Sequence, residues 1–284
     1  MIYSRLGLHL RINEGIERLI EDAKRCDVRR IQFFLTTPKG NSYLKIPEAV
    51  RKAFLHVQRE FLFDAYVHSS YWINPSTGHK VSYNVSKSLL KQEITLAKKL
   101  QIPYLVLHAG TAKGYEDALD DQQARVRGIQ TMAKLLNAVL KNEEEIVILL
   151  ENTTHGGKSV GSDLRDFTLL LNELAFPDRI GFCIDSAHAY AYGYELADTE
   201  KFVDVIRGTI GVERVKLLHL NDSLEPCGSK KDKHALPGKG LMGKEPLARL
   251  ITHPAFAKVP LIIEPPTTEM SELINVFNEV ATWI

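Results

Sequence analysis

Ile146-Val147-Ile148-Leu149-Leu150-Glu151 is an unbroken apolar run that stops on a carboxylate. Its length is that of a strand, and apolar side chains at every position mean burial on both faces, the condition of a parallel sheet covered by helices. Leu105-Val106-Leu107 before His108 and Leu261-Ile262-Ile263 before Glu264 repeat the pattern. Outward from these, β-rich stretches near Arg5–Leu10, Arg30–Leu35, Phe63–His68, Tyr104–Ala109, Ile180–Asp185, Val215–Leu220 and Pro260–Glu264 bring the strands to eight. Helical periodicity fills the intervals: Ile16, Leu19 and Ala23; Val126, Ile129, Ala133, Leu136 and Leu140; Leu164, Phe167, Leu171 and Leu174 after a Ser162 cap; Met270, Leu273, Phe277, Val280 and Ile284.

Strand and helix alternate from end to end without a Pro/Gly-rich linker. In 284 residues this predicts an α/β fold, one (β/α)8 TIM barrel forming a single domain over residues 1–284. An open doubly wound sheet is the alternative, because periodicity does not show closure. The composition, 44% hydrophobic and 25% charged, excludes disorder, collagen and coiled coil. A formal net charge of +1 carries no footprint of a protein that coats nucleic acid or membrane, so any polyanion site must be local. The three cysteines, Cys26, Cys183 and Cys227, form no CxxC, which argues against a disulfide scaffold or a thiolate zinc site. With no cleavable signal pattern and no apolar run near 18 residues, a cytoplasmic protein away from membranes is expected.

What ends these strands is the functional signal. His68, His108, Glu151, Asp185 (with His188 three residues on), His219 and Glu264 close six consecutive strands, and the loop after the seventh adds Asp232 and His234. In a (β/α)8 barrel the strand C-termini ring one mouth, so these residues converge. Five imidazoles and four carboxylates without a thiolate suit Zn²⁺, Mn²⁺ or Fe²⁺, and nine donors suffice for two or three ions. Two ions sharing a hydroxide would supply a nucleophile at neutral pH and neutralise phosphoryl charge. His9 ends the first strand on the same mouth, with no carboxylate beside it in the chain, and reads as a substrate contact. His56, His79, His155 and His253 read as surface or capping residues.

These segments resemble the endonuclease IV family of apurinic/apyrimidinic endonucleases, in the xylose isomerase-like barrel superfamily. The resemblance is carried in order by His68-Ser69-Ser70-Tyr71-Trp72-Ile73-Asn74, Leu107-His108-Ala109-Gly110, Leu150-Glu151-Asn152-Thr153, Cys183-Ile184-Asp185-Ser186-Ala187-His188, His219-Leu220-Asn221-Asp222, Asp232-Lys233-His234, Gly238-Lys239-Gly240 and Ile262-Ile263-Glu264. It implies a trinuclear zinc centre, with manganese an alternative at one or more sites, that cuts duplex DNA 5′ to an abasic site and leaves a 3′-hydroxyl. His68, His108 and Glu151 would hold one ion, and Glu151 would bridge to a second held by Asp185, His219 and Glu264. His188, Asp232 and His234 would hold the third. Glu151 is the expected catalytic residue, and the protein is expected to act as a monomer on abasic duplex DNA without an organic cofactor.

For the DNA itself, Tyr71 and Trp72 are the expected wedge, with His9, Lys233 and Lys239 as further contacts and Lys39, Lys230 and Lys231 as other candidate phosphate partners. The chain departs from the family in the loop after strand two, Thr36-Thr37-Pro38-Lys39-Gly40-Asn41-Ser42-Tyr43, which lacks the usual arginine. Trp72 replaces a smaller aliphatic, and Pro237 and Lys239 replace an aliphatic and a glutamate. Two other functions compete: a single-metal sugar isomerase or epimerase needing only Glu151, Asp185, His219 and Glu264, and a non-catalytic damage-binding protein with structural metals.

Overall fold

The computed structural model describes residues 5–12, 14–37, 42–266 and 269–284. In chain order its elements are β1 (Leu6–His9), α1 (Ile16–Arg25), β2 (Arg30–Phe34), α2 (Glu48–Glu60), β3 (Asp64–His68), α3 (Lys80–Lys99), β4 (Tyr104–His108), α4 (Asp121–Leu140), β5 (Val147–Glu151), α5 (Arg165–Glu173) and β6 (Ile180–Asp185). There follow α6 (Ser186–Tyr192), α7 (Thr199–Thr209), β7 (Val215–His219), β8 (Asp222–Ser223), β9 (His234–Ala235), α8 (Lys244–Thr252), β10 (Leu261–Ile263) and α9 (Met270–Ala281). Strand neighbours run β1-β10-β7-β6-β5-β4-β3-β2 and close on β1 through parallel pairs. The sheet is therefore a barrel and not the open alternative.

Side chains on a strand alternate between faces, so each strand sends every second residue into the barrel. Tyr66, Val106, Leu149, Cys183, Leu217 and Ile262 pack there as a separate inner cluster. Two residues further along the same faces come His68, His108, Glu151, Asp185, His219 and Glu264. The apolar layer thus forms a floor, and the polar residues are the next layer above it. Register is level at two seams, where His108 pairs with Glu151 and Asp185 with His219, and steps by two residues at β3–β4 and β5–β6, where His68 pairs with Val106 and Glu151 with Cys183. The alternate residues, among them Leu105, Leu107, Ile148, Leu150, Phe182 and Ile184, face the helices and belong to the large outer core. Among the described residues no helix is long and apolar enough to cross a membrane.

The helices depart from expectation at several points, and Leu174 and Ile284 lie past the ends of α5 and α9. Val126, assigned to the buried stripe of α4, is exposed, and Gly128, Met132, Leu135 and Val139 bury instead beside Ile129, Ala133 and Leu136. The stripe is wider than a single i, i+3, i+7 row because α4 packs against both neighbouring helices, α3 and α5. Ser162 does not cap α5: its hydroxyl meets Thr153 Oγ1 and donates to the His155 carbonyl, and the helix starts at Arg165. The simple strand–helix alternation also breaks. β6 is followed by two helices, and the segment after β7 folds back as the β8–β9 hairpin, which carries Asp232 and His234 over the mouth.

Candidate metal centre

Nine side chains from seven segments meet above the floor. His68, His108 and Glu151 bring one ligand atom each within 4.8 Å of one another, as do Glu151, Asp185, His219 and Glu264, and as do Asp185, His188 and His234. Asp232 lies against this third group, its oxygens 3.2 Å from His188 Nε2 and 3.2 Å from His234 Nε2. Glu151 belongs to two groups: Oε2 is 3.2 Å from His68 and 2.9 Å from His108, and Oε1 is 3.1 Å from His219 and 3.4 Å from His188. Asp185 also belongs to two and caps α6, accepting from the His188 backbone N–H at 2.6 Å. That cap is why His188, three residues on, faces the same centre.

The hydrogen bonds decide what such a cluster can hold. His68 Nδ1 donates to the Ser69 carbonyl at 2.9 Å and His188 Nδ1 to the Asn152 carbonyl at 2.9 Å. His219 Nε2 lies 2.9 Å from Gln32 Oε1. In each ring the other nitrogen faces carboxylate oxygens, at 3.2 Å for His68, 3.2 Å for His188, and 3.1 Å from both Glu151 and Glu264 for His219. A neutral imidazole would turn a lone pair onto a carboxylate, so a cation, proton or metal ion, has to lie between them. The three places where this happens are the three donor groups. With borderline nitrogen and hard oxygen donors and no thiolate, the set fits zinc or manganese.

The titration of these groups follows from the same contacts. Burial works against charge on His219, yet the Cys183 thiol, Glu264 and Glu151 hold its pKa well above the usual range. Burial likewise opposes His188, and Asp185, Asp232 and Glu151 overcome it and raise its pKa well above that range. Glu151 and Glu264 are held well below the usual carboxylate range despite burial, by His108 and His219 for the first and chiefly by His219 for the second. Asp232 is likewise lowered against its burial by bonds from His188 and His234. His9 goes the other way: desolvation lowers it more than Glu264 raises it.

Three residues that hold this centre in place escape a reading of the sequence. Asn152 binds the backbone of Asp185 both ways, accepting from N–H at 2.7 Å and donating to the carbonyl at 3.1 Å. Asn221 donates to Asp185 Oδ2 and accepts from the Glu264 N–H at 2.9 Å. Asn152 lies one residue past Glu151 and Asn221 two past His219, both candidate ligands, and that proximity is the available signal. Gln32, in the middle of β2, donates to Glu264 Oε1 at 2.6 Å and reaches His9 Nδ1 at 2.9 Å. Asp222 anchors the glycine-rich segment, its carboxylate taking N–H groups of Ser223, Gly240, Met242 and Gly243 at 2.7–3.1 Å. A Cβ at Gly240 would stand 2.5 Å from that carboxylate, hence the glycine.

A cleft of about 570 Å³ opens over the centre, lined among others by His9, Phe34, Thr36, Tyr71, Trp72, His234 and Glu264. His9 does have a carboxylate neighbour, supplied by Glu264 at 3.2 Å from the far end of the chain. Tyr71 and Trp72 stand on the rim, 72% and 69% exposed, with the Tyr71 ring edge-on to His108 at 5.4 Å. Lys233 and Lys239 stand apart in surface ion pairs, with Glu225 at 2.8 Å and Glu279 at 2.9 Å. Lys230 lies over the Tyr192 ring at 3.4 Å and Lys231 is 3.7 Å from Glu225. Lys39 and the rest of residues 38–41 lie outside the described residues. His56, His79 and His155 are exposed, and His253 ends α8 with its Nδ1 accepting the Ala255 N–H.

Beneath the rim, Glu93 of α3 is fully buried and ties two loops together. Its Oε1 accepts from the Ser70 N–H at 3.0 Å, next to Tyr71, and from the Tyr43 hydroxyl at 3.1 Å, while Oε2 has no partner. Desolvation pushes its pKa up to about 7, against the bonds from Ser70 and Tyr43. An acid raised in the folded state costs stability only where it ionises, so this cost is absent below about pH 4.5, the unfolded value, and complete above about 7. The expected result is that Glu93→Gln, which keeps an acceptor for both donors, gains stability over wild type as pH rises from 5 to 8, by roughly 3 kcal/mol at most. Denaturant unfolding at both pH values checks this, and a pH-independent difference would count against it.

Fold and site together define a xylose isomerase-like (β/α)8 barrel with a buried centre of imidazoles and carboxylates at its strand C-termini. The model of that family, described as xylose isomerase-like TIM barrel, matches residues 15–283. The chain is 32% identical over 279 residues to a probable endonuclease 4 of Heliobacterium modesticaldum, covering 97% of this chain and 96% of that one. It is 33% identical to a probable endonuclease 4 of Thermosipho africanus, covering 92% of each. The crystal structure of endonuclease IV from Thermus thermophilus superposes with a TM-score of 0.82 at 26% identity over 98% of both chains. The chain belongs to the endonuclease IV family.

Proposed function

We propose that this protein is a metal-dependent DNA repair endonuclease that hydrolyses the phosphodiester 5′ to an abasic site in duplex DNA, leaving a 3′-hydroxyl. The observation that carries this is the nine-residue centre in which three imidazoles each face carboxylate oxygens with a cation required between. His68, His108 and Glu151 would hold one zinc ion, Glu151, Asp185, His219 and Glu264 a second, and His188, Asp232 and His234 a third, with manganese an alternative. Ions so held would supply a nucleophile at neutral pH and neutralise charge on the phosphoryl and leaving oxygens. The chain's own residues do the rest. Glu151 keeps two groups of donors at fixed separation, Tyr71 and Trp72 fill the gap left by the missing base, and His9 offers a hydrogen bond from the cleft wall. Lys233 and Lys239 would exchange their glutamate partners for phosphates.

A one-metal isomerase would use Glu151, Asp185, His219 and Glu264 and leave His68, His108, His188, Asp232 and His234 without work, although His68, His108 and His188 stand against Glu151 and His234 against Asp185. A single preparation tests the choice. Metal analysis should return close to three ions per chain, and the protein should nick an abasic duplex without added Mg²⁺. One ion per chain, an epimerised ketose and an intact duplex would overturn the proposal. Tyr71→Ala and Trp72→Ala should each weaken binding to the abasic duplex by about 1–3 kcal/mol, the worth of an aromatic stacked on nucleic-acid bases. Unchanged affinity in both removes the wedge.

A further inference from the structure

Gln32 is wholly buried in the middle of β2, between Ile31 and Phe33, and each of its polar atoms is committed to the centre. Its amide nitrogen is 2.6 Å from Glu264 Oε1, which fixes the orientation of the amide, since only the N–H end can face a carboxylate at that distance. The same nitrogen is 2.9 Å from His9 Nδ1, and the amide oxygen is 2.9 Å from His219 Nε2. One side chain therefore touches two imidazoles with opposite ends. An oxygen against His219 Nε2 requires hydrogen there and leaves Nδ1 as the lone-pair atom among Glu151 and Glu264. An N–H against His9 Nδ1 requires a lone pair there and moves the His9 hydrogen to Nε2.

We propose that Gln32 is a positioning residue that sets both tautomers, making His219 a ligand through Nδ1 and His9 a neutral hydrogen-bond donor through Nε2 toward the cleft. The first half rests on the metal-centre reading above, and the second does not. A donor at His9 Nε2 suits a phosphate oxygen, whereas the opposite tautomer would present it with a lone pair. The opposite tautomer is within reach: Glu264 Oε1 lies 3.2 Å from His9 Nδ1 and would accept its hydrogen if the Gln32 amide were absent.

The test uses the full chain with ¹⁵N-labelled histidine, whose long-range ¹H–¹⁵N correlations report which ring nitrogen carries hydrogen, with His9→Gln and His219→Gln to assign the signals. In zinc-loaded wild type His9 should be protonated on Nε2, and His219 protonated on Nε2 with Nδ1 bound to metal. Gln32→Met, close in volume and without polar atoms, should move the His9 hydrogen to Nδ1 and weaken zinc retention against a chelator by about 10- to 100-fold. Gln32→Glu keeps an acceptor for His219 and loses the donor to His9, so it should shift His9 alone. A His9 tautomer unchanged in both variants, or His219 bound through Nε2 in wild type, overturns the proposal. A wild type that takes up no zinc defeats the metal-centre reading instead, and the His9 signal in that same protein still decides the second half.

Discussion

Glu151→Gln is expected to cost at least one metal ion per chain and to lower incision by roughly 10²- to 10⁴-fold, the rate equivalent of about 3–5 kcal/mol. The expectation follows from geometry at both carboxylate oxygens. Oε2 serves His68 and His108, and Oε1 serves His219 and His188, at 2.9–3.4 Å. A glutamine has the same shape, but one of its two ends is an NH₂ group. Whichever way the amide sits, hydrogens point into one of the two donor groups and the anionic oxygen there is lost. Removing one partner from a buried charged cluster costs about 3–5 kcal/mol, and each 1.4 kcal/mol is a factor of ten. Metal analysis and single-turnover incision of an abasic duplex measure the two effects on one sample. An E151Q protein with its full metal content and more than a tenth of the wild-type rate would refute the bridging role.

Glu151 is also the residue most open to sequence reading, and the reason is physical. A parallel strand buried on both faces is written as an apolar run, so the polar residue ending it stands out, and the barrel rule converts six such endings into one site. Gln32 obeys the same period-two rule on the same inner face but lies inside its strand, between Ile31 and Phe33. Its partners are 23, 187 and 232 residues away, and nothing local distinguishes it from a tolerated polar residue. Glu93 is nearer to legible. It occupies a position between Leu90 and Ala97 on the buried stripe of α3, and an acid on an apolar stripe demands a partner. The β8–β9 hairpin has two residues per strand and no apolar pattern, so its path over the mouth follows only from Asp222 and the tertiary contacts it makes.

The same contacts that would hold ions also set how the metal-free protein should behave. With no ion bound, the centre must place protons between its imidazoles and carboxylates, in keeping with the raised pKa values of His68, His188 and His219. A histidine raised in the folded state contributes stability in full below about pH 6.5, its ordinary value, and loses it as pH rises through the raised value. Glu151 and Glu264 are depressed, so their contribution is present above about 4.5 and lost as pH falls through their lowered values. Metal-free protein should therefore be most stable on the acid side of neutrality and weaken toward alkaline pH. Metal uptake has the opposite dependence, because it displaces those protons. An ion present at a hundred times its Kd adds about 2.7 kcal/mol, and for a chain of this size each kcal/mol moves Tm by roughly 2–4 °C. Chelation at pH 8.5 should accordingly abolish incision and, for the three ions proposed, lower Tm by roughly 15–30 °C, whereas at pH 6 the gap between stripped and zinc-loaded protein should be a small fraction of that. Thermal melts of both forms across pH 5.5–9, followed by zinc restoration of incision, measure it. A gap that is constant or that narrows as pH rises would mean that the imidazoles are not where the metal binds.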